Sequence, residues 1–404
     1  MNRVLLVGLC VLWAGLTFSQ ACVEIAFCAT FGLWLLWIIS KHDFGVLWSE
    51  SAKAYLVPLY GYMLLVILTS FMTEHPPQTL RGLLKVGQQI AIFFLTADIL
   101  KTEKNRKTFE FVFLIVFFVV LFDVLVQYFW GQDLIRGFRG VDASAGIRVT
   151  GSFKNYGFLA VFLMLTIPVV FMWGYRKPWR IGKWVLPSWL YLFGAACGTV
   201  LIYLTRSRGA MLACAAGIVL FVLLARKWKI LVGILVLGGL SLLVMPKGMV
   251  IHLDIEGKEQ SMVERFYLWE RALQVIKAKP LTGTGINTYA VSHQKYDKTQ
   301  SWRVRNYYAH NGYLQMAAET GLPSLFLFLV FVLTFFWRAH QASRRGDPNE
   351  ALAGLGIALG LVNFLFFAAL DTSLHNPLPV MTFWLVAGWQ YARLRDVTTT
   401  AILS

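Results

Sequence analysis

The chain alternates long apolar runs with short polar breaks. The runs cover residues 4–18, 21–40, 55–72, 86–100, 109–130, 157–173, 184–204, 209–225, 230–245, 322–337, 351–370 and 379–391. A helix needs about 20 apolar residues to cross a bilayer's hydrocarbon core, so this pattern predicts twelve transmembrane helices. The runs are continuously apolar rather than alternating, which excludes the strands of a transmembrane barrel. Open sheets leave backbone groups unsatisfied in lipid, so the fold class is all-α: a polytopic membrane protein. The first run follows Arg3 and resembles a signal peptide, but it lacks a small-x-small cleavage site and another span follows at once. It is read as a retained helix.

Charge in the short breaks sets the orientation. Arg3, Lys41, Lys53, Lys101, Lys104, Arg106, Lys107, Arg176, Lys177, Arg180 and Lys183 fall in alternate breaks, and so do Arg226, Lys227, Lys229, Arg338, Arg344, Arg345, Arg393 and Arg395. By the positive-inside rule that side is cytoplasmic, with both termini inside. The other side then holds breaks 73–85, 131–156, 205–208, 246–311 and 371–378. Residues 1–404 read as a single integral membrane domain. Residues 246–311 form a long periplasmic loop between the ninth and tenth helices.

Composition agrees, with 57% hydrophobic and only 14% charged residues, where a soluble domain carries about a quarter charged. The net charge of +16 is that of cytoplasmic anchoring loops rather than of a nucleic-acid-binding domain. Cys10, Cys22, Cys28, Cys197 and Cys214 all lie in or beside apolar runs with no Cys-x-x-Cys pair, so neither a disulfide framework nor a structural zinc site is expected. The acids expected outside include no Asp-x-Asp pair. The expected chemistry is therefore free of metal and cofactor.

Several basic residues break the orientation rule. Arg136, Arg139, Arg148 and Lys154 lie in the outer break 131–156, Arg206 and Arg208 in the turn LTRSRGAM, and Arg81 and Lys85 in the break 73–85. Arginine at a membrane edge is costly unless it snorkels or is paired, so it is a candidate functional group, lipid anchoring being the alternative; Arg81 and Lys85 are assigned no role. In the long loop, Phe266, Trp269, Leu273 and Ile276 recur at helical spacing, which predicts an amphipathic helix along the membrane surface. It ends at Pro280, and the Gly283-Thr284-Gly285 that follows reads as a tight turn rather than a phosphate loop, since no strand precedes it. Arg265 on this helix and Arg208 suit a diphosphate through their forked donors; for Arg265, a surface pair with Glu264 is the alternative.

The loop closes on RVRNYYAHNGYLQMAAETGLPS, residues 303–324. It sets His310 and Asn311 where water meets the membrane. Histidine can act as a general base near neutral pH, and an interfacial histidine without chemistry is the alternative. Glu319 lies nine residues on and faces the opposite side of a helix. Asp371, at the outer end of its span, is the better orienting partner. The only internal echo is a second His-Asn, His375-Asn376.

These residues carry a resemblance. SRGA at an outer edge, RFYLWERAL running to KPLTGTGINTY, and HNGYLQMAAETG before the next span resemble the O-antigen ligase and polymerase superfamily. The family's pattern is His, then Asn, Ser or Gln, nine residues, Gly, two residues, then Gly, Thr or Tyr. His310, Asn311 and Gly321 match, and Ser324 departs at the last position. RVTGSFKNYG, from Arg148 to Gly157, resembles a second family segment, with Asn155-Tyr156 in place of Pro-Asn.

The resemblance implies a glycosyltransferase of C-type membrane architecture in the bacterial inner membrane. It implies transfer of O-antigen from undecaprenyl diphosphate to a sugar hydroxyl of the lipid A core at the periplasmic face, with inversion. Arg208 and Arg265 then bind the diphosphate and His310 is the base; Arg148 and Asn311 are further candidates for the diphosphate, and Asp371 for orienting His310, on their place in the chain rather than on the resemblance. An O-antigen polymerase and a protein O-oligosaccharyltransferase differ only in acceptor. The absence of a large extra soluble domain favours the ligase. A flippase or transporter would carry ionisable groups at mid-membrane, where only Glu24 and Asp123 are candidates.

Overall fold

The computed structural model describes residues 2–143, 146–176, 179–181, 184–225, 255–297, 308–345 and 347–403. Its helices are α1 (Asn2–Phe18), α2 (Gln20–Lys41), α3 (Lys53–Ser70), α4 (Pro76–Ile99), α5 (Glu103–Trp130) and α6 (Tyr156–Trp173). They continue with α7 (Ser188–Leu204), α8 (Arg208–Ala225), α9 (Ile255–Ala278), α10 (Gly312–Arg345), α11 (Pro348–Ala368) and α12 (Pro377–Leu403). Their ends follow local chemistry. Ser19 caps α2, Thr102 caps α5, and Asp347 accepts from Asn349 and Glu350 at the start of α11 with Pro348 in the first turn, each satisfying amide groups that lack a partner within the helix.

Seven of these helices are long and apolar enough to cross a membrane, and α1, α7 and the start of α8 are shorter apolar helices. The protein is a multi-pass, predominantly helical membrane protein. The expected span 230–245 lies outside the described residues, as do Arg226, Lys227, Lys229, Lys177, Lys183 and residues 303–307, so the count of twelve rests on the sequence.

Several expected boundaries move. The break 73–85 is largely helix, because Pro76 starts α4 ten residues before its apolar run, and this puts Arg81 and Lys85 on a helix. The span expected from residue 184 starts at Ser188, after a hairpin of β3 (Trp179–Ile181) and β4 (Trp184–Leu186). A second hairpin, β1 (Val141–Ala143) with β2 (Gly146–Arg148), lies in the break 131–156. These two ribbons qualify the all-α expectation.

Helix α12 is buried on nearly every side from Val380 to Ala392, as expected of a helix apolar all round. It packs on α4, while α3 packs on α10 and α6 on α11. Gly356 and Gly360 let α11 approach α6 closely, since a Cβ on Gly360 would sit 2.4 Å from the Leu165 carbonyl oxygen. Small residues of this spacing drive helix contact where lipid supplies no hydrophobic force.

At one end of the bundle Arg176 bridges Glu110 at 3.2 Å and Glu350 at 3.5 Å, and Arg393 pairs with the same two acids. Arg393 lies sixteen residues along α12 from Pro377, or ~24 Å. This charged ring is therefore at the end remote from the 371–376 turn.

Candidate active site

The turn after α11, residues 369–376, is the hub of the other end. Gly209, in the first turn of α8, packs against Phe367 and Leu370; a Cβ there would lie 3.1 Å from the Phe367 ring. Arg208, exposed at the start of α8, is thereby held beside the end of α11. Arg265 of α9 donates from Nη1 to the Leu370 carbonyl at 3.3 Å, and the next carbonyl, Asp371, accepts the Gly312 amide at 3.1 Å. One turn thus collects α8, α9 and the start of α10. Arg265, His310 and Asp371, far apart in sequence, come together around it, with Arg208 on the adjoining helix end.

His310 takes a left-handed backbone, φ 48°, which costs a non-glycine residue of order 1 kcal/mol. Burial, reinforced by the Arg265 guanidinium, holds its imidazole below the ordinary histidine value. It is therefore neutral near pH 7, with a lone pair available. Burial pushes the Asp371 carboxyl up to about 6, against the pull of Arg265 and the Thr372 amide. Both groups answer to the same guanidinium. Asn311 uses its Oδ1 to cap α10, accepting from Tyr313 at 3.1 Å and Leu314 at 3.0 Å, which gives its side-chain oxygen a structural role. The Arg148 guanidinium lies over the Tyr156 ring at 4.8 Å. The Val149 amide donates to the Leu204 carbonyl at 3.4 Å, setting the strand beside the 205–208 turn.

The segment Gly312–Thr320 is a separate helix from the apolar span, because α10 breaks at Gly321 (φ 83°, ψ 163°). The Gly-Thr-Gly sequence seals that break. Thr284 and Gly285 donate their amides to the Ala318 and Glu319 carbonyls at 3.1 and 2.8 Å, and Leu322 donates to Pro280 at 2.8 Å. Gly283 and Gly285 have φ 63° and 107°, the conformations of a tight turn.

Glu319 is fully buried, and helical phase does not relate it to His310, which precedes the helix start at Gly312 with a left-handed backbone. Glu319 accepts from the Asn287 and Tyr289 amides at 2.9 and 3.0 Å and from Gln315 at 3.2 Å, with His375 Nε2 at 3.6 Å. Sequence reasoning set Glu319 aside as a partner of His310 and missed this role. The His375-Asn376 echo was its one visible trace.

The amphipathic helix is present, but its inner face differs from the expected stripe. Leu268, Arg271, Ala272, Val275 and Ile276 are buried, whereas Val263, Phe266 and Leu273 are exposed. The expected stripe combined parts of two faces. Of the mid-span acids, Asp123 accepts the Leu134, Ile135 and Ser152 amides, and Glu24 accepts from Gln88 at 2.7 Å. Both are engaged in holding backbone or a neighbouring helix.

Residues 193–329 match the family model described as O-Antigen ligase. Among curated proteins, the exopolysaccharide production protein ExoQ of Rhizobium meliloti is 28% identical over 134 residues, 31% of this chain and 31% of its own length. An uncharacterized protein of Haemophilus influenzae is 25% identical over 162 residues, 36% of this chain and 41% of its own. The matches thus span less than half the length of these relatives. Arg208, Arg265 and His310 all fall inside the matched region 193–329, so the part of the chain that resembles the O-antigen ligase superfamily is the part that carries the candidate site.

Proposed function

We propose that this protein is an inverting, metal-independent glycosyltransferase of the bacterial inner membrane. It transfers O-antigen from undecaprenyl diphosphate to a sugar hydroxyl of the lipid A core. Its termini are cytoplasmic, and the loop 246–311 and the active site face the periplasm. The observation that carries the reading is the meeting of Arg265, His310 and Asp371 around residues 369–376, with Arg208 on the adjoining helix end.

Neutral His310 takes the proton of the acceptor hydroxyl as its oxygen attacks the anomeric carbon. The bond from that carbon to the diphosphate oxygen breaks on the opposite face, and undecaprenyl diphosphate leaves with the bonding pair. Arg208 and Arg265 neutralise charge as it develops on the leaving group, where preorganised donors count most. Asp371, paired electrostatically with Arg265, offsets the imidazolium that forms. Arg148, beside the Arg208 turn, extends the cationic surface toward the donor glycan. The engagement of Glu24 and Asp123 in structural hydrogen bonds counts against a transporter.

The similarity to an exopolysaccharide production protein supports a second reading, in which the acceptor is another lipid-linked repeat, as in a polymerase. A lipopolysaccharide gel from a strain lacking the protein separates the two. Loss of the O-antigen ladder with accumulation of lipid-linked polymer is expected. A core bearing a single repeat would overturn the ligase reading in favour of the polymerase.

A further inference from the structure

Arg81 and Lys85 stand on the outer part of α4 and take no part in the site described above. Lys85 is half-buried at the rim of a narrow cleft between α3, α4, α10 and α12. Its one described hydrogen bond goes to an amide oxygen, Asn287 Oδ1, at 3.4 Å. A cation at a membrane edge that pairs with an amide rather than a carboxylate is costly, and an incoming anion relieves that cost. Arg81, exposed one helical turn earlier, adds positive potential at the mouth.

The remaining polar groups of the cleft are Gln89, Asn287 and His375. Asn287 is fixed on three sides: its amide donates to Glu319, its side-chain nitrogen to the Gln78 carbonyl, and its oxygen receives Lys85. His375 keeps Nε2 toward Glu319, while its buried Nδ1 has no hydrogen-bond partner among the described residues. Tyr62, Phe328 and Trp384 supply ring surface below. A cation, two amides and an imidazole above aromatic walls suit a hydroxyl-bearing ring with an acidic substituent and an apolar continuation.

The cleft also adjoins the candidate base. Met316 lines it from the helix that begins at Gly312, and Leu374 lies between it and that helix start, 3.1 Å from a Cβ on Gly312. Gly312 to Met316 is one helical turn, about 6 Å. Arg265 and Gly209 approach the hub through Leu370, at the end of α11, whereas the cleft approaches it through Leu374 and His375 at the start of α12.

Resting on the transferase reading above, we propose that this cleft is the acceptor subsite. It holds an acidic sugar of the amphiphilic acceptor's core, outside the lipid-anchored phosphorylated disaccharide, through Lys85, Gln89, Asn287 and His375. The reacting hydroxyl is presented past Leu374 to His310. Binding remote from the reacting atoms then serves to orient them.

The test uses the full-length His310→Ala protein in detergent without donor, so that binding is read without turnover. Lipid A carrying its core sugars but no O-antigen is the probe, and lipid A stripped of core sugars is the comparison. Lys85→Gln and His375→Gln are each expected to weaken binding of the glycosylated probe roughly tenfold, with Lys85→Arg restoring it. Binding of the stripped lipid should be weaker and insensitive to Lys85→Gln. In the turnover assay, Lys85→Gln raises KM for the acceptor and leaves KM for the donor unchanged, and Arg208→Ala does the reverse. Unchanged acceptor binding in both variants, or equal loss of binding for the stripped lipid, would overturn the subsite. Lys85-dependent binding by a protein that, with His310 intact, transfers nothing would sustain the subsite and overturn the transferase reading instead.

Discussion

Replacing Glu319 with Gln changes two oxygens that serve the turn sealing the His310 helix. Oε2 accepts from the Asn287 amide at 2.9 Å, and Oε1 from the Tyr289 amide at 3.0 Å and Gln315 at 3.2 Å. A glutamine keeps one oxygen and turns an NH2 group toward the other amide, which is left buried and unsatisfied. That penalty is about 1–3 kcal/mol. Bonds to the oxygen that remains also fall from charge-assisted to neutral, for about 1 kcal/mol more. The total, about 2–4 kcal/mol, falls on local opening of residues 283–289 rather than on the whole bundle. Hydrogen exchange followed by mass spectrometry reads it directly. Protection of the Asn287 and Tyr289 amides should drop by roughly 30- to 900-fold, at 1.36 kcal/mol per tenfold. Transglycosylation should fall as well, because the same turn closes the end of the helix that begins beside His310, while the shape of the pH profile is retained. A change in protection below about threefold at both amides would refute the assignment of Glu319 as the anchor of this turn.

The remaining predictions concern the site itself. His310→Gln should lower kcat/KM for transfer by at least about 10²-fold with membrane insertion and thermal stability unchanged; full activity would remove His310 from the mechanism. Burial and Arg265 both depress the His310 pKa, so the base stays neutral as pH falls and the acid limb of kcat/KM should lie below pH 6.5. Arg265→Gln removes the charge that disfavours protonation, and in the turnover that remains the limb should move to higher pH; no movement would separate the two residues. Gly321→Ala should destabilise the protein by more than about 3 kcal/mol. Its φ of 83° suits glycine, and a Cβ would meet the Leu281 carbonyl oxygen at 2.2 Å; an unchanged melting profile in detergent would contradict this packing. Transfer should be unaffected by chelator, and inhibition reversed by added metal would refute metal independence.

The apolar runs were legible because lipid imposes one rule on every span: the backbone must satisfy itself within a helix. Boundaries were less so, since a hydropathy reading stops where residues turn polar and a helix does not. Pro76 begins α4 well outside its apolar run, which is why Arg81 and Lys85 looked like loop residues. The face of α9 that packs on the protein was not legible for a related reason. Both its faces carry apolar side chains, and only packing distinguishes Val275, buried, from Phe266, exposed.

The sequence alone determined that this is a membrane protein, that arginines stand where charge is costly, and that His310 opens a helix at a polar edge. Tertiary structure decided what those residues touch. That Arg265 reaches the Leu370 carbonyl, that Gly312 hydrogen-bonds to Asp371, and that Glu319 holds the 287–289 turn all depend on segments from about 30 to more than 100 residues apart. No periodicity encodes such meetings. They arise when buried polar groups, costly to leave unpaired, find partners on whichever helices the apolar packing has brought together.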